Sequence, residues 1–172
     1  MTFWHNRWLT QEIGWHQIIY NDLLVKYWPT INIVEGGNVF VPLCGKSHDM
    51  FWLAEQGYII TGIEMVEQAI QAFFEENELE FNISEINKQI AYSSPPFTIF
   101  KGNLFDLESN TIQADAWYDR AAMIAIHPST RMDYVNQIYQ QTKSGAIGLL
   151  ITFSYPQGQI EGPPFALHDE DV

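Results

Sequence analysis

Apolar positions along this chain fall into two rhythms. Val39-Phe40-Val41 is a short unbroken apolar run of the buried-strand type, and Tyr58 to Ile63 reads as the next strand. Between them Leu53 and Ala54 belong to a helix, for which Gly57 is the stop signal. Earlier, Gln17 to Tyr27 carries Ile18, Ile19, Leu23, Leu24 and Tyr27 mostly at helical spacing, and Pro29 ends it. Val66 to Glu76 places Ala69, Ile70, Phe73 and Phe74 on one helical stripe. Phe97 to Phe100 and Ala116 to Asp119 read as third and fourth strands, and Ala146 to Phe153 as a fifth, strongly apolar one. A helix begins at Pro128 to Arg131, runs through Tyr139 and ends near Gly145. Asn82 to Ser94 is polar and ambiguous, closed by Pro95-Pro96.

Strands alternating with helices predict an α/β, Rossmann-like sheet, parallel and covered by helices on both faces. Ligands bind such sheets at the carboxyl ends of the strands. Leu43, Glu64, Asn103 and Arg120 fall at or just beyond those ends. Gly45 lets the chain turn sharply after the first strand. The G-x-G-x-x-G that brings backbone amides to a pyrophosphate is absent, and so is the P-loop spacing, although Gly45-Lys46-Ser47 resembles its end. Glu64 ends the second strand, where an acid accepts two hydrogen bonds from a ribose diol. This layout suits a nucleoside cofactor without phosphates, of which S-adenosylmethionine is the obvious example.

Composition narrows the partners. At 172 residues the chain is long enough for one domain with a substantial core. Its 21 acids against 8 bases leave a formal charge of −13, a surface that repels nucleic acid. No apolar run approaches membrane-spanning length, no basic amphipathic helix suggests attachment to a bilayer, and no secretory leader is legible. The single cysteine, Cys44, cannot form an internal disulfide, so a cytoplasmic location is expected. The five histidines lack metal-ligand spacing, and no metal is expected. Asp22 and Asp49 read as solvated helix acids. Trp4, Trp8 and Trp15 crowd the N-terminal segment, either as core or as a lid that excludes water and stacks on flat ligands.

Six blocks together carry a resemblance: Phe3-Trp-His-Asn-Arg-Trp8, Ile13-Gly-Trp-His-Gln17, Val39 to Ser47, Gly102-Asn-Leu-Phe-Asp106, Tyr118-Asp-Arg-Ala-Ala122 and Gly162-Pro-Pro-Phe165. In that order they resemble thiopurine S-methyltransferases of the bacterial type, over nearly the whole chain. The resemblance implies a class I fold and methyl transfer from S-adenosylmethionine to the sulfur of an aromatic or heterocyclic thiol, with S-adenosylhomocysteine as product. For some bacterial members it extends to selenium or tellurium detoxification. It implies a monomer acting on a small-molecule thiol. By position, Trp8, Leu43, Glu64, Gly102, Asn103 and Arg120 would bind the cofactor, with Glu64 on the ribose hydroxyls and Gly102 and Asn103 bordering the adenine. Trp15 and Arg120 would meet the substrate. No general base is assigned, because an aromatic thiol ionises near neutral pH and Arg120 can stabilise the thiolate. Direct methyl transfer needs no enzyme thiol, so Cys44 is expected to be a buried apolar residue.

Two departures qualify the resemblance. Family members often carry an acid where Asn103 stands; Asn still offers an amide oxygen as acceptor. The family pattern also continues beyond Gly162-Pro-Pro-Phe165 with a helix and two strands. The expected organisation is therefore one domain, 1–172: an N-terminal lid and helix over 1–30, a Rossmann-like core over 38–154, and a loop over 155–172 that is short relative to the family. With C-terminal strands missing, the apolar fifth strand becomes an edge, and either edge-strand dimerisation or marginal stability is expected. The competing functional readings are a related methyltransferase for halide or small thiols, and a cofactor-binding domain that has lost catalysis with those strands.

Overall fold

The computed structural model describes residues 3–156, 158–168 and 171; the ends of the expected 1–30 and 155–172 segments lie outside the described residues. Seven strands form one sheet in the order β3-β4-β5-β2-β1-β6-β7. They are β1 (Asn38–Pro42), β2 (Ile59–Glu64), β3 (Asn82–Ile86), β4 (Gln89–Ser94), β5 (Phe97–Lys101), β6 (Ala114–Arg120) and β7 (Thr142–Ile151). The five strands β5, β2, β1, β6 and β7 run parallel, while β4 pairs antiparallel with both β3 and β5. The sheet is thus mixed rather than wholly parallel. The ambiguous stretch from Asn82 to Ser94 is the cause, since it is a hairpin added beside β5. Its two-residue loop, Asn87-Lys88, has φ of 49° and 64°, the left-handed pair that matches a hairpin's twist.

Strand alternation divides the core in two. Val39 and Val41 of β1 face one cluster with Ile60, Phe97, Ile99, Ala116 and Tyr118, while Phe40 faces the other with Ile63 and Phe100. The first cluster is covered by α2 (Asp22–Tyr27), α3 (Asp49–Glu55) and α4 (Glu67–Glu75), through Leu24, Met50, Leu53, Ile70 and Phe73. The second is covered by α5 (Ala122–Ala125) and α6 (Arg131–Gln141), through Met123, Ile124, Tyr134 and Ile138. The helix expected over Gln17 to Tyr27 begins only at Asp22. Asn21 caps it, its side chain accepting from the Leu23 amide at 2.9 Å, and Ile18 and Ile19 lie exposed before it.

The N-terminal helix α1 (Phe3–Leu9) attaches through a third, small cluster in which Trp8, Val66 and Ala69 are buried and Trp4, Ile13, Trp15 and Met65 pack around them. At one edge of the sheet, β7 has β6 as its only strand neighbour among the described residues. Ile147 is 46% exposed, so the expected edge is apolar as well as unpaired by a second strand. No helix among the described residues is long and apolar enough to cross a membrane.

Candidate active site

The turn after β1 is built from two left-handed residues, Leu43 (φ 47°) and Gly45 (φ 52°). A Cβ on Gly45 would stand 3.2 Å from Cζ2 of Trp8, so the small residue serves both the backbone and the aromatic ring that covers it. Leu43 has no such freedom, and a branched side chain held at positive φ is the kind of local strain found where a ligand is gripped. The Cys44 amide donates to the Ile63 carbonyl at 3.0 Å, bringing the turn against the end of β2.

Glu64 closes that junction. Its carboxylate accepts the Gly45 amide at 3.0 Å and the Val66 amide at 2.8 Å. Burial raises its pKa, and the amides of Val66, Gly45 and Met65 offset only part of that rise. Each carboxylate oxygen has two lone pairs, so both retain accepting capacity.

A cavity of about 140 Å³ opens here, lined by Leu43, Glu64, Gly102 and Asn103 together with Trp4, Ile63, Met65, Leu104, Phe105 and Ile126. Four of the site residues read from sequence, from the ends of three strands, therefore share one wall. Gly102 donates its amide to the Glu64 carbonyl at 3.0 Å. Asn103 uses its amide oxygen to cap a 3-10 turn, accepting from the Phe105 amide at 3.3 Å. The sequence reads Trp4 as a lid or core residue, whereas it does not single out Met65, Phe105 and Ile126 as site residues. Each of those three is an apolar residue in a turn or loop, and its sequence position carries no sign of the cavity.

Trp8, Trp15 and Arg120 are grouped beside this cavity rather than in its lining. Trp15 meets Trp4 edge-on at 5.4 Å and Trp8 at 6.3 Å between ring centres. Arg120 donates from Nη1 to the Trp15 carbonyl at 3.4 Å and from Nε to Asp49 at 2.7 Å. Asp49 is not a solvated helix acid: it is 1% exposed and also accepts from Tyr118 Oη at 2.9 Å and the Asn21 amide at 2.8 Å. Residues two apart on a strand share a face, so Tyr118 and Arg120 of β6 both reach α3. Asp119, between them, turns to the other face. It accepts from the Ala122 and Met123 amides and from Tyr134 Oη at 2.6 Å, and burial pushes its pKa up to about 6. The left-handed Ala121 (φ 76°) sits at that corner.

Cys44 is 6% exposed and belongs to the first core cluster. Burial, and after it the Glu64 charge, pushes its thiol well above the ordinary value, which opposes the thiolate a nucleophile needs. Among the described residues no group of three or more His, Cys, Asp or Glu is placed to hold a metal ion.

The sheet with its cleft at the strand ends is that of the class I S-adenosylmethionine-dependent methyltransferases. The chain superposes on the 1,6-didemethyltoxoflavin-N1-methyltransferase of Burkholderia thailandensis with a TM-score of 0.60, at 13% identity, covering 90% of this chain and 61% of that one. A TehB-like S-adenosylmethionine-dependent methyltransferase from Corynebacterium glutamicum matches with a TM-score of 0.57, at 14% identity, covering 92% and 74%. At these identities the likeness shows the fold. Sequence shows the family: the thiopurine S-methyltransferase profile matches residues 1–172. A thiopurine S-methyltransferase of Shewanella pealeana is 44% identical over 172 residues, covering 99% of this chain and 78% of its own length. One from another Shewanella species is 47% identical over 166 residues, covering 96% and 76%. The chain belongs to the thiopurine S-methyltransferase family, and it is a methyltransferase that uses S-adenosylmethionine.

Proposed function

We propose that this protein methylates the sulfur of a flat aromatic or heterocyclic thiol, a thiopurine or a close analogue. The carrying observation is that Leu43, Glu64, Gly102 and Asn103 converge on one cavity with a wall of tryptophans beside it. The residues fit the nucleoside end of the cofactor. Glu64 keeps lone pairs for the ribose diol, and its carboxylate is fixed by two amides before any ligand arrives. Gly102 and Asn103 border the adenine; Asn103, with its oxygen engaged by Phe105, has its side-chain NH₂ to offer a ring nitrogen. Leu43 and Trp8 cover the apolar parts. When bound, the cofactor supplies an electrophilic methyl on a sulfonium, already a good leaving group.

What the protein adds is alignment and exclusion of water. Trp15 and Trp4 present aromatic surface to a flat acceptor. Arg120, fixed by Asp49, brings a positive charge toward the sulfur, which favours its thiolate form. No general base is assigned. We place the protein in the cytoplasm and assign it a small-molecule substrate. A turnover panel with labelled S-adenosylmethionine tests the reading, using aromatic thiols, aliphatic thiols, selenite and tellurite as acceptors. Aromatic thiols should be the best substrates; transfer confined to small aliphatic thiols, or to none, overturns it.

A further inference from the structure

We propose that Asp49 is the positioning residue of this active site. It sets the guanidinium of Arg120 and, through the same carboxylate, fastens the N-terminal aromatic segment. The proposal rests on the reading of Arg120 as an acceptor-side group.

Three donors converge on Asp49 from distant parts of the chain. Oδ2 accepts from Arg120 Nε at 2.7 Å and from Tyr118 Oη at 2.9 Å, while Oδ1 accepts from the Asn21 amide at 2.8 Å. The acid is 1% exposed and the Arg120 side chain 13%, so the pair is nearly dry. A buried carboxylate losing its cation is strongly disfavoured, which leaves the guanidinium little freedom to swing. An Arg held through Nε has its planar fork aimed by that bond, with the Nη groups left for other acceptors.

The pair also clamps two ends of one loop. Arg120 Nη1 reaches the Trp15 carbonyl at 3.4 Å, and Asp49 holds the amide of Asn21, the cap of α2. Between these two points Ile18 is 83% and Ile19 69% exposed, and the intervening anchor is Tyr20, whose hydroxyl donates to Glu55 at 3.0 Å. The ion pair therefore registers Trp15, and with it the ring cluster of Trp4 and Trp8, against the end of β6. Tyr118 is the third strut, and its hydroxyl is held protonated by burial and by the Asp49 charge. The charged groups near this cluster include Asp119, the neighbouring residue on β6, Lys46, bonded to Glu76, and the His16–His48 ring pair at 5.6 Å, where burial lowers the His16 pKa.

Asp49→Asn is isosteric and keeps an oxygen for the Asn21 amide, but removes the charge that orders Arg120. The variant should lose about tenfold or more in kcat/KM for an aromatic thiol, with a clearly smaller loss of affinity for S-adenosylhomocysteine, since Trp8 and Trp4 also border the cofactor cavity. Combined with Arg120→Lys, the loss should be much less than the product of the two single losses. A wild-type measurement stands independently of whether the variant folds. In ¹⁵N spectra the Arg120 Nε–H should be protected from exchange and unchanged by thiol binding, while its Nη signals shift. Loss with Arg120→Lys but none with Asp49→Asn, or an unprotected Nε–H, overturns the positioning role alone. No loss with either variant overturns the Arg120 reading and this proposal with it. Equal losses in acceptor kcat/KM and cofactor affinity would mark Asp49 as merely structural and also overturn it.

Discussion

Oε2 of Glu64 accepts the amide of Gly45 at 3.0 Å, so the last residue of β2 holds the turn that follows β1. The same carboxylate is read as the ribose acceptor, which gives one side chain a structural and a binding consequence. Glu64→Ala removes charge-assisted bonds to the ribose worth about 1.5–3 kcal/mol each at most. Calorimetry should show at least about tenfold weaker S-adenosylhomocysteine binding. The melting temperature should fall as well, because the Gly45 and Val66 amides lose their acceptor. Unchanged affinity would remove Glu64 from the cofactor site.

A second pair, Gly62 and Cys44, is tied by space alone. A Cβ on Gly62 would stand 2.7 Å from the Cys44 sulfur and 3.3 Å from its Cβ. Gly62→Ala should destabilise by about 1–3 kcal/mol through overpacking in the sheet. Cys44→Ala removes the sulfur and should recover much of that loss in the double variant, as read from denaturant melts. Cys44→Ala alone should keep methyl transfer within a few-fold. Abolished turnover in a folded variant that still binds cofactor would restore a chemical role to the thiol.

The aromatic segment gives a third expectation. Trp8 is the only buried residue of α1, and the cluster it joins is separate from both main cores. Elements held by few buried contacts open locally at low free-energy cost. Amide exchange over residues 3–16 should therefore be faster than in β1 or β2. It should slow when S-adenosylhomocysteine and an aromatic thiol bind together. Equal protection with and without ligands would assign the tryptophans to plain core packing.

How far the residues announced this arrangement varies with the range of the interaction. The β1-turn-α3-β2 unit was legible because its signals are local: an apolar run, one glycine, a helical stripe, an acid. The hairpin from Asn82 to Ile86 and Gln89 to Ser94 was not. All of β3 is exposed, so it carries no apolar alternation, and Lys88 stands where a glycine would have marked the turn. Helix α2 begins later than its apolar spacing suggests because Asp49, 28 residues away, takes the Asn21 amide. Asp49 itself was misread for the same reason. An acid in the first turn of a helix is ordinarily solvated, and its partners Tyr118 and Arg120 stand 69 and 71 residues further on. The neighbours Asp119 and Arg120 look like a pair in sequence, yet strand alternation sends them to opposite faces of the sheet.

Asp119 makes a pH-dependent prediction. Its folded pKa is about 6 against an ordinary 3.8, with burial as the main cause. Between those values the folded state binds more protons at this site than the unfolded state does. Stability from this group is thus present below pH 3.8 and lost as pH rises to about 6, by on the order of 3 kcal/mol. Asp119→Asn cannot ionise. Its oxygen can still accept the Ala122 and Met123 amides, and its NH₂ can donate to Tyr134 in place of the bond now made by the phenol. Urea melts across pH 4 to 7 should show the variant gaining on the wild type as pH rises, then holding a constant difference. Groups whose pKa values are lowered, such as Glu67 and Asp115, are common to both proteins and cancel in the comparison. A difference that stays flat from pH 4 to 6, or that runs the other way, would mean that Asp119 is ionised at low pH in the fold. The amides and the Tyr134 hydroxyl would then outweigh its burial.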